Sequence, residues 1–238
     1  MNLDAIWHDL ECGEYTEDLA LWHELADRTG GPLLDIGAGT GRVTLELAAR
    51  GVEVVALDSC APLLTALERR GEGLRVSTTA ADARDFRLDR QFSLILVPMQ
   101  TLQLLGGRSG RGAFLRCARV HLRSGGLLVA ALADAMDCFD DEHELPPPPQ
   151  ERVILGVRYS SQLLRVVEDG GRAAIHRRRE IDGSETQEVV VHLDRVSADR
   201  VSAEARELGF IPEPPRYIDD TEQYLGSTVV VLRAPESH

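Results

Sequence analysis

The chain has 238 residues, is 43% hydrophobic and 27% charged, and carries a formal net charge of −13. A chain of this size and apolar content buries roughly 70–75% of its unfolded surface, which excludes a disordered protein. Its acidity disfavours nucleic acid, whose phosphates bind cationic surfaces, and because all 26 basic residues are arginine, lysine bases and Schiff-base chemistry are excluded too.

Taken in chain order, the apolar pattern alternates short runs with helical periodicity. Residues 32–37 (PLLDIG) read as a buried strand, followed by a helix over 41–50 with Val43, Leu45, Leu47 and Ala48 inward. Residues 52–58 (VEVVALD) predict a second strand, 61–70 a proline-started helix and 74–80 a third strand. Residues 92–99 (FSLILVPM) are apolar enough for a fourth strand covered on both faces. A helix over 111–122 and a turn at Ser124-Gly125-Gly126 lead into a fifth strand ending near Asp134. Strands separated by helices predict a parallel sheet in an α/β domain.

After Pro146–Pro149 the rhythm changes. Residues 153–159, 162–168, 172–181 and 186–193 predict strands, with hairpin signals at Glu168-Asp169-Gly170-Gly171 and Asp182-Gly183-Ser184. Helical periodicity returns over 198–208, and 210–217 and 227–233 supply two last strands. The expectation is one Rossmann-like domain over 1–238, with a seven-stranded, mostly parallel sheet flanked by helices. A helical segment (1–30) lies over the ligand site, and an antiparallel insertion (150–195) after the fifth strand serves as lid or platform. Apolar runs fall short of the ~18 residues of a membrane span, and the acidic start MNLDAIWHDLECGEY lacks a leader pattern, so a soluble, cytoplasmic protein without membrane association is expected. Cysteines 12, 60, 117 and 138 form no CxxC pair, which predicts reduced thiols and no metal site.

The most specific signal is LLDIGAGTGR, residues 33–42, with glycines at 37, 39 and 41 between a strand and a helix. Such a turn lets backbone pass close to a ligand. A dinucleotide turn would place its third glycine at 42, where arginine stands. Asp35 precedes the glycines, Asp58 closes the second strand where a carboxylate can accept ribose hydroxyls, and Asp82 follows the third strand within reach of an adenine amine. Three acids at successive strand ends describe a nucleoside crevice.

These segments, with ADARDF, FSLILVPMQTLQLL and HLRSGGLLVAAL, resemble class I S-adenosylmethionine-dependent methyltransferases, especially a bacterial small-molecule branch with Tyr15-Thr16-Glu17-Asp18 ahead of the first strand. The closing helix and Tyr224-Leu225-Gly226-Ser227 fit that branch as well. The resemblance implies S-adenosylmethionine as cofactor, its methionine moiety on Gly37, Ala38 and Gly39 with Asp35 near the amino group. It puts the ribose on Asp58, the adenine amine on Asp82 and the adenine edge on Ala83. Ser59 and Cys60 would flank the adenosine, Val97, Pro98 and Met99 would wall the sulfur, and Tyr15 would cover the methionine end.

The implied reaction is methylation of nitrogen or oxygen in a small molecule. The fourth strand ends in Val97-Pro98-Met99-Gln100, not the NPPY or DPPY string of many nucleic-acid and protein amino-methylating enzymes. Gln100, Thr101, Gln103 and Asp134 are acceptor-side candidates, His176 and His192 are base candidates, and His121 reads as structural. The acidic run Asp140–Glu144 and the run His176-Arg177-Arg178-Arg179 point to substrates of opposite charge, so neither selects one; on a strand Arg177 and Arg179 share a face and Arg178 opposes them. A nicotinamide-dependent oxidoreductase and a non-catalytic protein with a degenerate cofactor fold remain the alternatives.

Overall fold

The computed structural model describes residues 2–133, 139–140, 146–182, 184, 186–220 and 226–236. Asp134, the acidic residues 141–144, and Tyr224 and Leu225 lie outside this set. The chain divides into two compact units, Tyr15–Ala135 with Val196–His238, and Met1–Glu14 with Met136–Arg195. The helical segment expected at 1–30 is thus two helices, one in each unit. Helix α1 (Leu3–Cys12) goes with the inserted strands, and α2 (Leu19–Thr29) with the main sheet.

The larger unit is a seven-stranded sheet flanked by helices. Its strands are β1 (Leu33–Ile36), β2 (Val54–Asp58), β3 (Val76–Ala80), β4 (Phe92–Val97) and β5 (Leu122–Leu132), closed after the insertion by β11 (Ile211–Ile218) and β12 (Ser227–Arg233). Their order is β11-β12-β5-β4-β1-β2-β3. The pairs β4–β5, β1–β4, β1–β2 and β2–β3 are parallel, whereas β12 runs antiparallel to both β5 and β11. This is the predicted mostly parallel sheet with an antiparallel insertion after its fifth strand.

Side-chain alternation sorts the sheet into two cores. Leu34, Ile36, Ile95 and Val97 pack with Phe114 and Leu115 of α5 (Gly107–His121) and Val201 and Ala205 of α6 (Ala198–Glu207). On the other face, Leu33, Val54, Leu94 and Leu96 meet Trp22 and Leu25 of α2 and Val43 and Leu47 of α3 (Arg42–Ala49). Both faces of β1 are therefore covered, as its unbroken burial shows. Helix α5 starts four residues earlier than its periodicity suggests. Gly110 in its first turn is required, because a Cβ there would sit 1.6 Å from the Leu105 carbonyl oxygen. Leu45 is only partly buried, while the polar Thr44 takes the fully buried place on α3.

The predicted structural role of His121 holds. The Leu88 N–H donates to its Nε2 at 2.9 Å, so Nδ1 carries the hydrogen that reaches the Cys117 carbonyl at 2.7 Å.

The smaller unit is antiparallel, with β7 (Gln150–Ile154), β8 (Val157–Asp169), β9 (Arg172–Ile181), β10 (Gln187–Asp194) and a two-residue β6 (Phe139–Asp140). One boundary differs from expectation. The break falls at Leu155-Gly156, not at 160–161, and β8 runs unbroken through residues expected to separate two strands. Leu155 (φ 51°) and Gly156 (φ 82°) give the two positive dihedrals of a tight hairpin turn, which an exposed leucine does not advertise. The predicted turn at Gly170-Gly171 is present, again with both φ positive.

Helix α1 packs on this sheet through Ile6, Trp7, Leu10 and Tyr159, with the two rings edge to face at 5.7 Å. Glu11 accepts two 2.7 Å bonds from Arg179, whose guanidinium lies 5.3 Å from the Trp7 ring centroid. Burial raises the Glu11 carboxyl, but Arg179, Ser161 and Arg177 outweigh it and hold the group below its ordinary value. Arg177 and Arg179 do share a face, and Arg178 turns instead toward Glu180. His176 bonds Glu188 at 2.8 Å and His192 lies 3.2 Å from Asp169, so both are held by acids of their own sheet. Cysteines 12, 60 and 117 form no disulfide among the described residues, and no described cluster of His, Cys, Asp and Glu could hold a metal. No described helix is long and apolar enough to cross a membrane.

A buried pair joins α5 to α6: Arg111 donates to both Glu204 oxygens at 3.0 Å, with about a twentieth of either side chain exposed. Among the described residues, removing Arg111 leaves buried Glu204 with only the exposed Arg200, 3.4 Å away. Arg111→Met is expected to cost about 3–5 kcal/mol in urea unfolding, while Arg111→Met with Glu204→Leu recovers most of it.

Candidate functional site

The sheet reverses its order between β1 and β4, and ligands of open α/β sheets bind outside the carboxyl ends of the strands at such a point. Here β1 ends in Gly37, Ala38, Gly39 and Thr40 before Gly41 opens α3. Gly37, Gly39 and Gly41 have φ of 71°, 56° and 97°, a region costly for other residues.

The turn is tied to the end of β2. The Gly37 and Ala38 N–H groups donate to the Leu57 carbonyl at 2.8 and 3.1 Å, and the Gly39 N–H donates to Asp58 Oδ2 at 2.9 Å. Asp58 Oδ1 accepts from the Cys60 N–H at 2.8 Å, which orders the chain entering α4 (Ala61–Arg70). From the other side of the switch point Thr101 approaches so closely that a Cβ on Gly37 would lie 2.5 Å from its Cγ2. The Thr101 hydroxyl bonds the Pro98 carbonyl at 3.1 Å. A Cβ on Gly41 would meet Leu67 of α4 at 2.8 Å. The first glycine thus allows the loops after β1 and β4 to meet, and the third seats α4.

Asp35 is 1% exposed. Its Oδ2 accepts a 2.7 Å bond from Thr44 on α3, and its Oδ1 is buried with no partner. Burial pushes the carboxyl up to about 7, against the pull of Thr44 and Arg42. A buried carboxylate oxygen left unsatisfied costs about 1–3 kcal/mol or more and calls for a donor. An ammonium group would meet that need.

The remaining predicted residues follow the strand ends. Asp58 closes β2, with Ser59 exposed beside it. Asp82 follows β3 and is held by Arg84 through Nε and Nη2, the latter at 2.6 Å, which keeps its carboxyl below the ordinary value. Ala83 is buried in the core. Neighbouring strands lie ~4.8 Å apart, so acids at the ends of β1, β2 and β3 span on the order of 10 Å. Val97 and Pro98 are buried at the end of β4, and Met99 follows with φ 53°.

Tyr15 is buried, and desolvation with the nearby Asp18 charge pushes its phenol up to about 12. The Arg42 guanidinium sits 5.0 Å from its ring centroid and donates to its carbonyl at 2.7 Å. Two features were not anticipated. Arg42 forms a two-pronged bond with Asp18 at 2.5 and 2.7 Å, and Trp22 Nε1 donates to the same fully buried carboxylate at 2.7 Å. An arginine at the positive end of a helix demands a nearby anion, and that was the available signal. Gln103 of the single turn η1 (Thr101–Leu104) is also buried, exchanging bonds of 3.0 and 2.8 Å with the Ala133 backbone. Thr101 and Gln103, candidates for the acceptor side, are engaged in holding the loops.

Residues 33–126 match the family model of a methyltransferase domain. The chain is 33% identical over 111 residues to the cypemycin N-terminal methyltransferase of a Streptomyces species, covering 47% of this chain and 43% of that protein. It spans about half the length of the curated relatives it matches. Among solved structures it resembles the sugar N-methyltransferase KedS8 of a Streptoalloteichus species, with a TM-score of 0.75 at 19% identity over 99% and 94% of the two chains. It also resembles the S-adenosylmethionine-bound amino pentose methyltransferase CalS10 of Micromonospora echinaspora, at 0.71 and 18% over 96% of each. At those identities the likeness establishes the fold, while the glycine turn and the matched segment carry the ancestry. Residues 33–126 are matched by a methyltransferase-domain family, and the fold around them is that of class I S-adenosylmethionine-dependent methyltransferases.

Proposed function

We propose that this chain transfers a methyl group from S-adenosylmethionine to a nitrogen or oxygen of a small-molecule metabolite, with an amine nitrogen the favoured acceptor. The observation that carries this reading is the unpartnered, buried Oδ1 of Asp35 beside the glycine turn. The methionine end of the methyl donor offers the ammonium that this oxygen lacks. The cradle fits as well, because Gly37 and Gly39 leave no side chain between the turn and a ligand.

The donor supplies a sulfonium methyl, displaced in line by an acceptor lone pair while the electrons of the broken carbon–sulfur bond go to sulfur. The protein's part is placement. Asp35 would fix the ammonium and Gly37, Ala38 and Gly39 the methionine chain, with Tyr15 covering it. Each Asp58 oxygen holds one backbone N–H and keeps acceptor capacity for a ribose hydroxyl. Asp82 would take the adenine amine, Ala83 and Ser59 would flank the adenosine, and Val97 and Pro98 would wall the reacting end. Such positioning supplies roughly 7–11 kcal/mol of a barrier.

Nitrogen is favoured because a neutral amine needs position and no base, whereas a hydroxyl acceptor more often requires one. Among the described polar side chains at the switch point, Thr101 and Gln103 are occupied in backbone bonds. Relatives and fold neighbours named as N-methylating enzymes of a peptide terminus and of sugars support the same choice. The net charge of −13 speaks against nucleic acid as acceptor.

S-Adenosylhomocysteine at about 100 times its dissociation constant should add ~2.7 kcal/mol, a rise on the order of 5–10 °C in melting temperature, with none from NAD or NADP. A shift with the nicotinamide cofactors alone overturns the proposal. Gly37→Ala forces a side chain against Thr101 in a left-handed backbone; calorimetry should find at least tenfold weaker binding of S-adenosylhomocysteine and a loss of about 1–3 kcal/mol in stability.

The raised Asp35 carboxyl gives a signed pH dependence. Without ligand, the folded protein keeps a proton that the unfolded chain has released, so this group's contribution to stability falls as pH climbs from about 4 to about 7. An ammonium ligand expels that proton. Binding of S-adenosylhomocysteine should therefore weaken by up to about tenfold per unit as pH drops below about 7 and level off above it. Methylthioadenosine, which lacks the ammonium, should show a flat profile, as should Asp35→Asn with S-adenosylhomocysteine. Titration calorimetry from pH 5.5 to 8 distinguishes these cases, and a flat wild-type profile would remove Asp35 from the ligand.

A further inference from the structure

The sheets of the two units differ in how their outer strands are protected. Strand β11 carries Pro212, Pro214 and Pro215 and a register shift between Glu213 and Arg216, all of which spoil pairing with another chain. Strands β3, β6 and β7 have five residues or fewer. Strand β10 has none of these guards. It runs eight residues, QEVVVHLD, without proline, lysine or arginine, and among the described residues β9 is its sole partner. Val190 and Val191 are 43% and 38% exposed.

We infer that the free edge of β10 pairs with β10 of a second copy of this chain, antiparallel and centred on Val190, joining two inserted sheets into one. The occupant is identified by the self-complementarity of the strand. A two-fold axis perpendicular to the sheet keeps each side chain on its own face, so the pairing centres on a residue. Centred on Val190, it sets Val189 against Val191 and Glu188 against His192 of the other copy. Glu188 and His192 are each engaged by their own sheet yet still expose 45% and 42% of their side chains to a partner. Centred on Val191, the same strand would set Glu188 against Asp194, a repulsive pair. A centre on Val189 leaves Glu188 against Val190, so of the three registers only the one on Val190 sets an acid against a histidine. Each copy gains backbone bonds along β10 and covers its exposed valines.

Val190 lies on the axis and meets itself, so substitutions there test register as well as association. The intact chain should sediment at twice 26.1 kDa. Val190→Lys and Val190→Glu should each be monomeric at the same loading, because each sets like charges together. An equimolar mixture of the two should recover the doubled mass. A third variant, His192→Glu, opposes two acids without touching the axis and should also be monomeric. Circular dichroism and melting temperatures are compared in parallel, so that a misfolded variant is replaced by the exposed His192→Glu. A monomeric wild type, a dimer that persists in all three variants, or monomeric variants whose mixture stays monomeric would each overturn the inference.

Discussion

Three consecutive backbone N–H groups leave the end of β1, and the end of β2 accepts all three. Leu57 takes those of Gly37 and Ala38 on its carbonyl, and Asp58 takes that of Gly39 on its carboxylate. Buried amides demand partners, so this arrangement exists only with β2 hydrogen-bonded in register beside β1. The second Asp58 oxygen carries the constraint on to Cys60 and the start of α4, and α4 returns Leu67 to the third glycine. Turn, strand-end acid and helix are one assembly. Thr101 closes it from β4, which makes the first glycine a meeting point for both halves of the sheet.

Two buried aspartates beside this turn show how the same group serves different ends. Asp18 is fully buried, yet both its oxygens are engaged by Arg42 and Trp22. Its charge is compensated inside the protein, and it fastens α2 to the first turn of α3. Asp35, equally deep, has one oxygen satisfied by Thr44 and one left over. Compensation within the chain makes a strut; incomplete compensation leaves the oxygen on which the proposed ligand contact rests.

Much of this was legible beforehand. Strand order along the chain, the glycine turn and the acids closing β1 to β3 followed from apolar runs and from residue types with few other uses. The Leu155-Gly156 hairpin was not legible, because an exposed leucine with positive φ has no compositional mark, whereas Gly170-Gly171 announced itself. The start of α5 was hidden by glycines, of which Gly110 serves close packing against Leu105. Asp18–Arg42 and Gln103–Ala133 join residues 24 and 30 positions apart, and no local pattern encodes such pairings. Of the candidate site, the backbone cradle and its acids could be read; the partners that leave Asp35 half satisfied could not.

Helix α1 completes the core of a sheet whose strands come more than a hundred residues later, with Glu11 and Arg179 separated by 168 positions. The larger sheet is interrupted in the same way, since β12, its strand beside β5, is made after the whole insertion. A ribosome therefore delivers the first helix long before anything exists for Trp7 to pack against, and it delivers the closing strand only after the whole insertion. Long-range pairing of this kind is slow and must wait for the chain. The smaller unit waits for its last strand, β10, and the larger for β12, so the first helix and the first five strands of the large sheet are made long before either sheet can close.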